Sequence, residues 1–488
     1  MSVKNKVQLI TYADSLGGDL KKLKLVLNTH FKGLFQGGVH ILPPFPSSGD
    51  RGFSPVTYLK IEPSFGGWED IQALAADQDI LLDLIVNHMS SDSMFFQDFL
   101  QKGSKSEYAD MFLTVKKIWP DGNPPKEDLD KIFLRRTVPF SDFSVGNGEK
   151  QTLWTTFGNR NPSDQVDLDV NSPVTRALYT KIIEHFHANH VRIVRLDAVG
   201  YVIKKPGTSC FFVEPEIFQF MDWLRDLAAK NEIELLPEVH AELDTQRELI
   251  NHGYWIYDFI LPYLILETLI KKSSTKLKDY LKVRPSHQFT MLDCHDGIPV
   301  KPDLNGYYNS VEVNELIDLC AQRGACFSRV ISGKHKDPNG FDVHQICGTY
   351  YSMLGSDDDA YFAARAIQLF TPGIPQIYYV GLLAGENDVV AAEQSGEMRE
   401  INRHSYTLEE IDREVERPIV KRLLRLIEFR NNYAAFDGKC EFDNCGDKEL
   451  SITWKKDRLQ TRLHIDLTQN KVEISFFDEK SGKQVSLD

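Results

Sequence analysis

The sequence predicts a (β/α)8 barrel with two inserted subdomains and a small C-terminal antiparallel β domain. Three observations predict it. Short apolar runs rich in β-branched residues recur along the chain, separated by longer segments of helical period. Polar groups gather at the C-terminal ends of several runs, where a barrel builds its site. Beyond about residue 436 the pattern changes to short alternation.

Eight runs supply the strands: VQLITYA (7–13), GGVHILPP (37–44), ILLDLIVNH (80–88), VRIVRLDAVG (191–200), IELLPEVH (233–240), YWIYDFI (254–260), FTMLDCHD (289–296) and PQIYYVG (375–381). Near-continuous apolarity suits strands covered on both faces. Helical stretches such as PEIFQFMDWLRDLAAKN (215–231) and DAYFAARAIQLF (359–370) supply crossovers. The barrel is expected over residues 1–88, 167–296 and 351–435. The gaps at 89–166 and 297–350, after the third and seventh strands, are too long for simple loops and read as insertions that wall the site. LSITWKK, TRLHIDL and KVEISFFD place the C-terminal β domain at 436–488.

Composition narrows the partners. The chain has 488 residues, 42% apolar and 26% charged, with a formal net charge of −14. That acidity argues against nucleic acid or an anionic membrane as the main partner. An anionic ligand would need a local cationic pocket. No run approaches the ~18 apolar residues of a membrane span, and MSVKNKVQLITYADSLGG holds no signal-peptide core. Seven cysteines form no C-x-x-C pair, which signals neither zinc nor a disulfide framework. A reducing cytoplasm is the expected location.

Asp83, Asn87 and His88 end the third run, Arg195 and Asp197 the fourth, Glu238 and His240 the fifth, His295 and Asp296 the seventh. Alternation along a strand points Arg195 and Asp197 the same way. An arginine there favours the ionised carboxylate, as a covalent nucleophile requires. Glu238 follows the apolar IELLP, where desolvation favours the protonated form and suits a general acid. Two such carboxylates fit retaining glycoside chemistry, in which they stand about 5–5.5 Å apart. Asp296 is a third carboxylate, able to stabilise an oxocarbenium-like transition state. Singly, each Asp reads first as a turn or helix cap; Asp83 and Asn87 read as architectural.

These motifs resemble the α-amylase superfamily of enzymes that act on α-glucosides with retention. The D-x-x-x-N-H motif is DLIVNH, R-x-D is RLDAVG, the catalytic-Glu motif is PEVH, and the H-D motif is LDCHD. Cys294 departs from the Asn common before the His. HILPPFPSSGDRGFSPVTY, DAVGYVIKKPGTSCFF, QIYYVGLLAG and INRHSY narrow the resemblance to the sucrose phosphorylase branch, over nearly the whole chain. The resemblance implies Asp197 as nucleophile, Glu238 as acid/base and Asp296 as transition-state stabiliser. It implies that His88, Arg195 and His295 hold the sugar ring, that Asp50 and Arg399 contact the glucosyl unit, and that Phe53 stacks on it. It implies no metal and no organic cofactor. Trp154, Phe157 and Tyr201 read as wall or as core.

Members of the branch differ in leaving group, and two loops are expected to set it: FLRRTVPF (133–140) and FDVHQICGTYY (341–351). Arg135, Arg136, Asp342, His344 and Gln345 are the candidate phosphate and acceptor residues. An arginine pair offers planar donors suited to phosphate oxygens. With His344 where plain sucrose phosphorylases carry Tyr, the combination resembles branch members acting on sucrose 6′-phosphate. The expected partners are that sugar or sucrose, and inorganic phosphate. Glycerol or glycerate as acceptor, an ordinary α-glucoside hydrolase and a non-catalytic barrel are the alternatives. Lys204 and Lys205 form a rival cationic pair, read as a solvated turn.

Overall fold

Eight parallel strands form one sheet: β1 (Gln8–Thr11), β2 (Gly38–Ile41), β3 (Ile80–Ile85), β4 (Val191–Asp197), β5 (Glu234–Pro237), β6 (Ile256–Asp258), β7 (Gln288–Thr290) and β8 (Ile374–Tyr378). Their order, β6-β7-β8-β1-β2-β3-β4-β5, is that of a (β/α)8 barrel. A computed structural model describes residues 3–146, 148–306, 308, 310–329 and 343–487. The strands are buried almost throughout, because helices cover a parallel sheet on the outside. Helices α1 (Pro173–Ala188) and α2 (Glu216–Lys230) flank β4, and α3 (Asp358–Phe370) precedes β8. Ser172 and Asp357 cap α1 and α3 through the amides of Val174 and Ala360.

The chain divides into two compact units. The first spans residues 41–239 and carries β3, β4 and β5. Asp83 lies opposite Arg195 in the β3–β4 register, and Ile85 opposite Asp197. Between β3 and β4 the chain makes an antiparallel pair, His88–Ser90 with Gln165–Asp167, and a hairpin, Phe140–Val145 with Glu149–Trp154. Leu113, Val115, Trp119, Ile132, Trp154 and Cys210 form the core of this insertion. The Trp119 and Trp154 rings stack at 5.8 Å. Cys210 arrives from the loop after β4, so the segment downstream of Asp197 closes the insertion's core.

The second unit comprises, among described residues, 3–40, 240–329 and 343–487. Between β7 and β8 lies a three-stranded antiparallel sheet in which Val343–Cys347 runs between Ile298–Pro299 and Cys326–Arg329. The C-terminal domain is a five-stranded antiparallel meander. Its middle strands match the alternating runs, and Lys439–Phe442 and Lys483–Ser486 flank them. Trp454 Nε1 donates to the Phe370 carbonyl at 2.7 Å and ties the meander to the end of α3.

Candidate active site

In the first unit, three carboxylates surround one guanidinium. Arg195 Nη1 contacts Asp83 and lies 2.8 Å from Asp197, while Nη2 lies 2.9 Å from Glu238. Arg195 is 4% exposed and Asp83 fully buried. Asp83 is therefore architectural in a specific sense, since it holds the arginine that holds the other two acids. The alternation argument correctly brought Arg195 to Asp197. The apolar run before Glu238 gave no sign of its contact with this arginine. The Ala198 amide donates to Glu238 Oε2 at 3.4 Å, and Ala198 itself adopts a left-handed conformation, φ 54°. The Arg195 guanidinium also lies 5.7 Å from the centre of the Phe53 ring.

Asp50 and Phe53 sit on a strained turn. Asp50, Arg51 and Gly52 all have positive φ, 46°, 47° and 108°. Position 52 requires glycine, since a Cβ there would lie 2.4 Å from the Pro43 carbonyl oxygen. His88 Nε2 donates to the Phe53 carbonyl at 3.0 Å, so DLIVNH supports the turn that carries Phe53. Burial lowers the His88 pKa, with Asp167 opposing.

Lys204 overturns the solvated-turn reading. Its Nζ lies 2.8 Å from Asp167 Oδ2 and 3.0 Å from Asn87 Oδ1, and donates to the Tyr201 carbonyl. The side chain is 1% exposed. Lys205 does behave as surface charge, pairing with Glu216. Trp154 is core; Phe157 is not, as it touches His88 at 5.2 Å and Tyr201 at 5.1 Å between ring centres.

The arginine pair divides. Arg136 Nη1 donates to Thr155 Oγ1 at 3.0 Å and Ser141 Oγ at 3.3 Å, and Nη2 to the Arg160 carbonyl at 3.0 Å. Arg135 lies over the Phe157 ring at 5.9 Å. Phe133 packs on Tyr201 and Phe211, joining this loop to the segment after Asp197.

In the second unit, Arg399 Nη1 lies 3.1 Å from Asp296 Oδ1. His295 Nε2 is 3.9 Å from the same oxygen, and its ring meets Tyr12 edge-on. Asn402 Nδ2 donates to the carbonyls of Cys294 and Asp296, each at 3.0 Å, and Arg403 Nε to that of His295 at 3.0 Å. INRHSY thus clamps the LDCHD backbone, while Arg399, just upstream, pairs with its acid. Sequence reasoning missed this clamp. It also missed the pair beneath it, where Arg365 Nη2 lies 2.8 Å from both oxygens of buried Asp293.

His344 is 2% exposed, and its Nδ1 donates to the Lys301 carbonyl at 2.6 Å. Its ring meets that of His240 at 5.6 Å. Gln345 is buried, and its Oε1 has no hydrogen-bond partner among the described residues. Asp342 lies outside the described residues.

Residues 13–260 match the family model for the α-amylase catalytic domain. The chain is 58% identical over 486 residues, 99% of each chain, to the sucrose 6(F)-phosphate phosphorylase of Thermoanaerobacterium thermosaccharolyticum. It is 42% identical, over 99% of each chain, to the glucosylglycerol phosphorylase of Marinobacter adhaerens. A crystal structure of sucrose 6F-phosphate phosphorylase from Thermoanaerobacter thermosaccharolyticum superposes with a TM-score of 0.98 at 57% identity, covering 100% of this chain and 99% of that one.

Proposed function

The chain belongs to the α-amylase superfamily, as one of its hexosyl-transferring phosphorylases, and from this we propose that it cleaves sucrose 6′-phosphate with inorganic phosphate. The products are α-glucose 1-phosphate and fructose 6-phosphate. Asp197 attacks the anomeric carbon as the glycosidic C–O bond breaks, and Glu238 gives its proton to the departing oxygen. A β-glucosyl ester of Asp197 forms. A phosphate oxygen then displaces Asp197 from the same carbon, and Glu238 takes up the phosphate proton. Two inversions give net retention. Asp296 is assigned to stabilising the oxocarbenium-like charge.

The observation that carries the chemistry is one guanidinium touching both Asp197 and Glu238. It keeps the nucleophile charged and fixes the acid/base relative to it. Asp50, Phe53, His88, His295 and Arg399 are assigned to the glucosyl unit. The phosphorylated leaving group is supported by the 58% identical relative and by His344. We assign Arg135 to phosphate and Arg136 to holding the loop, since the donors of Arg136 serve Ser141, Thr155 and Arg160. His344, Gln345 and Asp342 are assigned to the acceptor side.

The test is release of glucose 1-phosphate from sucrose 6′-phosphate and from sucrose, with and without inorganic phosphate. The expected result is phosphate-dependent release with the higher kcat/KM on sucrose 6′-phosphate. Equal or better use of sucrose overturns the substrate. Free glucose released at the same rate without phosphate overturns the reaction.

A further inference from the structure

One short segment holds two imidazoles. The Lys301 carbonyl accepts from His344 Nδ1 at 2.6 Å, and Asp303 Oδ2 lies 3.3 Å from His240 Nδ1. Neither a carbonyl nor a carboxylate can donate, so both rings carry a proton on Nδ1. That fixes the tautomer of each ring. His240 is also stacked on Phe259, with ring centres 4.2 Å apart and planes 17° from parallel. Asp303 is completely buried, whereas the His240 side chain keeps 16% exposure.

The two rings are neighbours, with centres 5.6 Å apart and planes inclined by 69°. They come from different parts of the chain. His240 follows the end of β5 by three residues, and His344 lies in the strand Val343–Cys347. Residues 301–303 are what fixes both.

We propose that Asp303 is a positioning residue for substrate selection. It holds His240 in the Nδ1–H form, flat on Phe259, as a second imidazole beside His344 for the phosphate of the leaving group. This rests on the reading that the leaving group is phosphorylated. Asp303 touches no substrate atom; it acts through His240.

Three measurements test it. The first is the ring 15N shifts of His240 in the wild-type enzyme, which report the tautomer without substrate. The Nδ1–H form, or the doubly protonated ring, is expected; the Nε2–H tautomer overturns the proposal. The second is kcat and KM for Asp303→Ala on both sugars. KM for sucrose 6′-phosphate should rise about tenfold, as for loss of one charge-assisted contact, with kcat nearly unchanged and sucrose little affected. An equal change on both sugars overturns it. The third is Asp303→Asn, whose amide oxygen still accepts from Nδ1–H. Partial recovery of the sucrose 6′-phosphate KM relative to Ala is expected; a variant as impaired as Ala overturns it. If the wild-type enzyme prefers sucrose, the leaving-group reading fails by itself, while the ring shifts still report on Asp303.

Discussion

Arg195 reaches Glu238 through Nη2 at 2.9 Å while its Nη1 serves Asp197 at 2.8 Å. With Asp83 behind them, three carboxylates share one buried cation. A guanidinium can do this because its donors fan out in one plane; an ammonium is a point charge.

Arg195→Lys should therefore lose turnover by at least about 100-fold, since one ammonium cannot address both acids in this geometry. Arg195→Met should in addition lower stability by about 3–5 kcal/mol, because Asp83 is left buried without its cation. Steady-state kinetics and denaturant unfolding measure both. An unchanged kcat in Arg195→Lys would sink the shared-cation account.

Arg135 and Arg136 should separate by phenotype. Arg135→Ala should raise the KM for phosphate or for the phosphorylated sugar by about 10–100-fold with the melting temperature unchanged. Arg136→Ala should lower the melting temperature as well, because Ser141, Thr155 and the Arg160 carbonyl lose their donor. Matching phenotypes would mean that the loop contacts do not divide the pair.

The sign of the His88 effect follows from burial. Its pKa in the fold lies below the ordinary histidine value of about 6.5. The unfolded chain then takes up the proton first as pH falls. The stabilisation is fully present above that ordinary value and is lost on going below it, towards the folded value. His88→Gln should flatten this part of the stability curve, followed by thermal melts between about pH 7.5 and 5.5. A variant falling as steeply as wild type would place the effect elsewhere.

Gly381→Ala should be strongly destabilising. A Cβ at that position would lie 1.9 Å from Arg365 Nη2 and 2.2 Å from Asp293 Oδ2. The intrusion would break a buried ion pair, at a cost of about 3–5 kcal/mol. Urea unfolding of the purified variant measures it, and a loss below about 1 kcal/mol would show that the pair can step aside.

The strands were readable because each is an apolar run, four of them closed by polar groups, and because period two ties Arg195 to Asp197 directly. What the sequence hid were contacts with no local period. Arg365 finds Asp293 across 72 positions, and nothing near either residue marks the pairing. Asn402 and Arg403 act through backbone carbonyls, which carry no sequence signature. Lys204 was misread because a lysine pair before Pro-Gly looks like a solvated turn. Only the fold shows that one of the two turns inward. Arg195 beside Asp197 was legible from the strand period; that the same cation also reaches Glu238 was not.

Lys204 has a consequence of its own. Its ammonium rests among the oxygens of Asn87, Asp167 and Tyr201, linking the end of β3, the insertion and the loop after β4. A diffusible ion in such a nest would come and go with its concentration in the medium. This one is tethered by its own side chain, so its local concentration is a property of the chain and independent of supply. The rivet is set as the protein folds, and neither dilution nor a chelator can draw it.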